Sequence, residues 1–170
     1  MEYSIIKNLF NKDRFFSLQK PELKKFTNSQ FESSLLIEDL NTNKYGGLRY
    51  KNLYKKSYKN FPLISVIVPN LNGNKLKETL DSILIQDYPN IEIILIDGGS
   101  HEKNISFIKK NYNDNIDIWI SRKDCGIYDG WNQGIRLANG DYIGIINSND
   151  FYYKNAFRYL IRYINLYPAY

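Results

Sequence analysis

Residues 62–73 read PLISVIVPNLNG and residues 91–100 read IEIILIDGGS. Each is a short run of Ile, Val and Leu that breaks off into Pro, Asn, Asp or Gly. That pattern predicts a strand covered on both faces, opening at its C-terminal end into a polar turn. Working outward, two further runs of the same kind occupy residues 116–120 and 142–146, while the first two strands proper are read over 63–68 and 91–96. Between the first pair, Leu76, Leu80, Ile83 and Leu84 recur at helical spacing, with Lys75, Lys77, Glu78 and Asp81 on the other faces. Ile105, Ile108 and Tyr112 outline a second helix, and Tyr128, Trp131, Ile135 and Ala138 a third. Phe157, Leu160, Ile161 and Ile164 outline a fourth, within residues 153–166. A β-α-β-α-β-α-β order gives right-handed crossovers and a mostly parallel sheet with helices on both faces, an α/β fold.

The texture changes at Pro62. Residues 1–60 carry 12 Lys and Arg against 6 Asp and Glu, whereas residues 61–170 carry 11 against 12. The net charge of +5 is therefore entirely N-terminal. We read residues 1–60 as a basic arm of irregular to weakly helical character that packs on something else, and 61–170 as the folded domain. The arm's lysines are interspersed with acids rather than blocked together, so they read as a solvated face and not as a nucleic-acid footprint. No apolar run approaches the roughly 20 residues of a membrane span, and one cysteine, Cys125, offers no intramolecular disulfide. These point to a cytoplasmic setting, with the arm's charge allowing peripheral contact with an anionic inner leaflet.

In an open parallel sheet ligands bind beyond the carboxyl ends of the strands. Here those ends are Pro69–Asn72, Asp97–Ser100, Ser121–Asp129 and Asn147–Asp150, all polar and three of them carrying Asp. Single Asp or Asn residues there are ordinary turn formers; four such ends together mark a site. The first turn holds only Gly73, which excludes the G-x-G-x-x-G dinucleotide fingerprint, and G-x-x-x-x-G-K-[ST] occurs nowhere. No Ser or Cys elbow is present and the only histidine, His101, has no evident partner, which speaks against a hydrolase triad. Cys125 is expected to be a buried, inert thiol, and Tyr128 and Trp131 to pack in the helix–sheet core.

Four ordered motifs carry a resemblance: residues 62–73, Ile96-Asp97-Gly98-Gly99-Ser100, the stretch Asp124-x-Gly126-Ile127-Tyr128-Asp129-x-x-Asn132-x-Gly134-Ile135, and Gly140-Asp141-Tyr142-Ile143 followed by Asn147-Ser148-Asn149-Asp150. Together they resemble the nucleotide-binding half of family 2 glycosyltransferases with the GT-A fold, of the bacterial cell-surface polysaccharide type. Gly46-Gly47-Leu48-Arg49 and Tyr54-Lys55-Lys56-Ser57 resemble a lead-in segment before the first strand of bacterial members. The resemblance implies an inverting transfer of sugar from a UDP-sugar donor to a glycan or lipid-linked acceptor. It places Pro69, Asn70 and Asn72 along the uracil side and Asp97 where it accepts from the base or ribose. Gly98, Asp124 and Asp129 join the same nucleotide-sugar site. Asn149 stands where members usually have a ribose-binding Asp, and Asp150 where a carboxylate meets Mg²⁺ or Mn²⁺ bridging the diphosphate.

The departures are as specific as the matches. Asn149 leaves one carboxylate of the usual pair, Arg122-Lys123 replace a Glu-Pro pair, and Cys125 replaces a frequent Lys. Twenty residues follow Asp150, none of them Asp or Glu. A general base must lie within hydrogen-bond reach of the proton it takes, and these residues offer none, so the catalytic base is unassigned. The expectation is a partial domain, truncated after the D-x-D-type region, that is either a truncated reading frame or one piece of a split enzyme whose acceptor half comes from a partner chain. The competing reading is a non-catalytic nucleotide-sugar-binding module or an inactive fragment.

Overall fold

The computed structural model describes residues 16–17, 44–59 and 61–167. In chain order its elements are β1 (Phe16–Ser17), β2 (Tyr45–Gly46), a 3-10 turn (Leu48–Lys51), β3 (Tyr54–Lys55), β4 (Ile64–Asn70), α1 (Leu76–Leu84), β5 (Ile91–Asp97), α2 (Glu102–Tyr112), β6 (Ile118–Ser121), α3 (Ile127–Leu137), β7 (Tyr142–Ile145) and α4 (Ala156–Leu166). The main sheet runs β2-β6-β5-β4-β7. Its four long strands are parallel, with Val66 opposite Ile93 and Gly144, and β2 closes one edge antiparallel to β6. Strands β1 and β3 form a separate antiparallel pair. The α/β class and the parallel order are as the apolar runs imply.

Alternation along the central strands divides the core in two. Ile64, Val66, Val68, Ile93 and Leu95 face α1, α2 and α4 in the larger cluster, with Trp119, Leu80, Ile108 and Phe157 among its members. Ile67, Ile94, Ile96, Ile118 and Ile120 face the other way, toward Leu137 of α3. A fully buried Val, Leu or Ile stabilises by about 1.5–3 kcal/mol, which is why the predominantly apolar strands β4 and β5, buried along their whole length, take the middle of the sheet. Strand β7 was expected to be covered on both faces but is covered on one, since Ile143 and Ile145 are exposed.

Helix α3 differs from its expected orientation. The residues it buries are Gly130, Gln133, Gly134 and Leu137, while Tyr128 is 72% exposed and Ile135 39%. Tyr128 stacks edge-on against Trp131 instead of entering the core. The apolar stripe lost to a glycine stripe because bare backbone lets the helix lie closest to the sheet. A side chain at Gly134 would run into Ile67, and one at Gly130 would just touch Pro69 and Ile96.

The described part of the arm is built into the sheet. Beyond the pairing of β2 with β6, Arg49 is buried, its Nη2 2.6 Å from Glu92 Oε2 and its Nη1 donating to the Leu137 carbonyl at 2.5 Å. Glu92 Oε1 accepts from Ser65 Oγ (2.5 Å) and the Asn139 amide (2.6 Å). Lys55 Nζ meets Asp117 Oδ2 at 2.9 Å, Lys51 pairs with Asp114, and Lys44 with Glu102. Of the basic residues read as a solvated face, Arg49 and Lys55 are instead drawn in against buried acids of the domain, while Lys44 and Lys51 pair at the exposed surface. A buried acid is tolerated only with a partner, and the arm supplies partners for Glu92, within β5, and Asp117, just before β6.

Candidate nucleotide-sugar site

The C-terminal ends of β4, β5 and β6 are stitched together by one carboxylate. Asp97 is wholly buried and accepts five hydrogen bonds: from Asn70 Nδ2 (2.6 Å) and Ser100 Oγ (2.5 Å) on one oxygen, and from Ser121 Oγ (2.6 Å) and the amides of Gly99 (3.2 Å) and Ser100 (2.8 Å) on the other. Its acceptor capacity is spent within the protein. The expectation that Asp97 accepts from a base or ribose is therefore corrected: it is the knot that shapes the rim. Asn70, also buried, takes the Gly73 amide on Oδ1 (3.1 Å), and its carbonyl receives the Gly98 amide (2.8 Å). Asn72 adopts a left-handed conformation (φ 52°) that turns its amide onto Ser100 Oγ (2.7 Å) and its Oδ1 onto the His101 amide (2.9 Å).

Around this knot the remaining expected residues form an open rim. Asp124 is half-buried against Gly98, where an added Cβ would sit 2.8 Å from its Oδ2, and its other oxygen accepts the Gly126 amide at 3.0 Å. Gly126 has φ 111°, a value that favours glycine, and this sharp entry starts α3 so that Asp129 Oδ2 receives the Cys125 amide (3.1 Å). Pro69, Gly98, Asp124 and Gly130 thus adjoin. Cys125 is exposed, not buried as expected, because the loop residues 122–126 run over the rim instead of into the core.

The fourth strand end lies across the Gly73 turn. Ser148 Oγ and Asn70 Oδ1 both crowd the space where a Cβ on Gly73 would be. The exposed Asn149 accepts the Lys75 amide at 3.4 Å, and the exposed Asp150 leaves its carboxylate outward while its carbonyl accepts from Thr79 Oγ1 at 2.7 Å. Among the described residues no three Asp, Glu, His or Cys side chains gather as a metal-binding group. Asp150 therefore fits a hard cation that draws its other oxygens from a bound diphosphate, the usual manner for Mg²⁺, and does not fit an all-protein cage.

Comparison with known proteins decides the family. Residues 65–170 match the model of Glycosyl transferase family 2. The chain belongs to that family. An uncharacterized glycosyltransferase of Rickettsia typhi is 36% identical over 105 residues, covering 61% of this chain and 32% of that protein. Among solved structures, TarS of S. aureus in complex with UDP superimposes with a TM-score of 0.55 at 24% identity, over 62% of this chain and 33% of its own. A mannosyltransferase of Pyrobaculum calidifontis, in complex with GDP-Man and Mn²⁺, gives 0.50 at 25% identity over 55% and 29%. This family 2 chain thus has the GT-A sheet and spans about a third of the length of each of these three proteins. The segment 44–57, with Arg49 and Lys55, lies before the matched residues, although it holds two buried ion pairs of the domain. Two sequence signals point to it: the resemblance of Gly46–Arg49 and Tyr54–Ser57 to a lead-in segment, and two acids, Glu92 and Asp117, within apolar runs of a chain whose upstream segment is basic.

Proposed function

We propose that this chain is the donor-binding part of a glycosyltransferase that takes a sugar from a UDP-sugar and passes it to a glycan or lipid-linked acceptor in polysaccharide biosynthesis. The observation that carries the reading is the rim itself. Four strand ends converge on a surface shaped by the buried Asp97, with half-exposed Asp124 and Asp129 on one side and the outward Asp150 on the other. The mixture of amide donors and carboxylates suits a nucleoside, and Asp150 suits the metal end of a diphosphate. Pro69, Asn72 and Gly98 would line the base side, Asp124 and Asp129 the donor, and Asn149 the ribose. A divalent cation held at Asp150, Mg²⁺ or Mn²⁺, would offset the diphosphate's charge and that of the departing UDP. The UDP complex of TarS and the GDP-Man and Mn²⁺ complex of the mannosyltransferase support this choice of ligand class.

The test is calorimetric titration with UDP, with and without Mn²⁺, of the chain and of Asp150→Ala. Metal-dependent binding, reduced at least tenfold in the variant, is expected. Equal binding by both proteins would remove Asp150 from the site, and no binding by a folded wild-type chain would reject the donor reading.

A further inference from the structure

Helix α1 carries a line of buried polar residues that the core does not require. Thr79, Ser82 and Gln86 follow one another at i, i+3 and i+7, so they lie along a single stripe of the helix and its C-terminal extension. Each spends its side chain on the backbone that follows β7. Thr79 Oγ1 donates to the Asp150 carbonyl (2.7 Å). Ser82 Oγ accepts the Tyr152 amide (3.0 Å). Gln86 Nε2 donates to the Tyr153 carbonyl (3.0 Å), and its Oε1 accepts the Phe157 amide (3.4 Å). The stripe is also tied to its own helix, since Ser82 Oγ donates to the Thr79 carbonyl (2.7 Å) and Gln86 Nε2 to the Ser82 carbonyl (2.8 Å). Thr79 is fully buried, and Ser82 and Gln86 are nearly so.

We infer that this stripe is a positioning device for Asp150: α1 serves as a rail on which the loop from Asp150 to Phe157 is laid, fixing where the exposed carboxylate stands. The inference deepens the donor-site reading above and rests on it for its functional consequence. Among the described residues no side chain bonds the Asp150 carboxylate, and its backbone is held at two points, by its amide on the Asn147 carbonyl (2.9 Å) and by its carbonyl on Thr79. An aspartate that alone supplies the protein's charge to a cation gains from a fixed backbone, because each rotor left free must be frozen when the ion binds. Thr79 is thereby a positioning residue that touches neither nucleotide nor metal.

Thr79→Val keeps the shape and removes the hydroxyl; Thr79→Ser restores it. The first readout needs no ligand: hydrogen exchange at the Asp150, Phe151 and Tyr152 amides in the full chain. Exchange there should rise about tenfold in Thr79→Val and in Ser82→Ala, return in Thr79→Ser, and leave the β5 amides unchanged. The second is the Mn²⁺ dependence of UDP binding, which should shift to about threefold to tenfold higher Mn²⁺ in Thr79→Val, the equivalent of one hydrogen bond, with metal-free UDP binding unaltered. If Thr79→Val lowers thermal stability yet leaves both loop exchange and Mn²⁺ dependence at wild-type values, the stripe is ordinary core and the inference is overturned. If loop exchange responds but the wild-type chain binds no UDP, the rail stands and the donor-site reading falls.

Discussion

Gly134→Ala tests whether the glycine stripe is what seats α3. In an exposed helix interior this substitution stabilises, by about 0.8–1.0 kcal/mol, because alanine loses less backbone entropy. Here the new methyl falls against Ile67, whose Cγ1 would lie 3.0 Å and Cβ 3.2 Å away, with Cγ2 closer still. Ile67 is wholly buried in the centre of the sheet, and its branched Cβ leaves few rotamers to escape into. Overpacking of this kind costs about 1–3 kcal/mol, and an off-rotamer side chain about 0.5–1.5 more. Set against the propensity gain, the net is a destabilisation of about 1–3 kcal/mol. Urea denaturation should show a lower midpoint at unchanged m. Gly130→Ala is the control: its Cβ would meet Pro69 Cβ at 3.5 Å and Asp124 Oδ2 at 3.6 Å, ordinary contacts, so it should be neutral or mildly stabilising. Ile67→Ala should restore part of the Gly134→Ala loss, giving less than additive effects in the double variant. A Gly134→Ala chain as stable as wild type would refute the claim that backbone proximity, rather than the outward apolar stripe, fixes the helix.

Arg49→Met strands the buried Glu92 carboxylate and should destabilise by about 3–5 kcal/mol, whereas Arg49→Met with Glu92→Met should recover most of that loss; denaturation midpoints that fall equally in both would mean the pair is not coupled. Burial raises the Asp117 pKa above the ordinary 3.8, opposed by Lys55 and reinforced by Glu92. The folded state therefore holds that proton more tightly than the unfolded chain, so this group's contribution is fullest at acid pH and declines as pH rises from about 4 through the raised value. Asp117→Asn should flatten that part of the stability–pH curve, and an unchanged slope would exclude Asp117 as its source. Cys125, exposed on the rim loop, should be labelled stoichiometrically by a thiol reagent without denaturant; labelling that needs urea would put the thiol back in the core.

The strands and the α/β order were legible because a doubly covered parallel strand is a run of Ile and Val with polar punctuation, and β4 and β5 are that apart from Ser65 and Glu92. The identity of the rim residues was legible from the same rule, which places ligands at strand ends. What the pattern could not convey was the difference between a polar residue that faces a ligand and one that holds the loop facing it. Asp97 and Asn70 stand in the same kind of position as Asp124 and Asp150, yet the first two are buried with their bonds internal, whereas Asp124 is half-exposed and Asp150 exposed. Sequence also misjudged α3, because hydrophobic periodicity assumes that the apolar side is the inner side. That assumption fails when two glycines four apart let the backbone itself make the contact.

The charge distribution shows the same limit and where it ends. Taken as separate blocks, a basic arm and a slightly acidic domain suggest an arm reaching for an external anion. The structure places the described part of that arm against the domain's own acids, two of them buried, Glu92 within β5 and Asp117 just before β6. A carboxylate buried alone is costly by several kcal/mol, and a guanidinium buried alone equally so; together, with Ser65, Asn139 and the Leu137 carbonyl completing the set, they join the arm, β5 and the end of α3 into one unit. The opposite end of α3 carries Asp129 and borders Asp124. One helix therefore links the arm's anchorage to the rim, and a segment lying before the family match contributes to how the site is built.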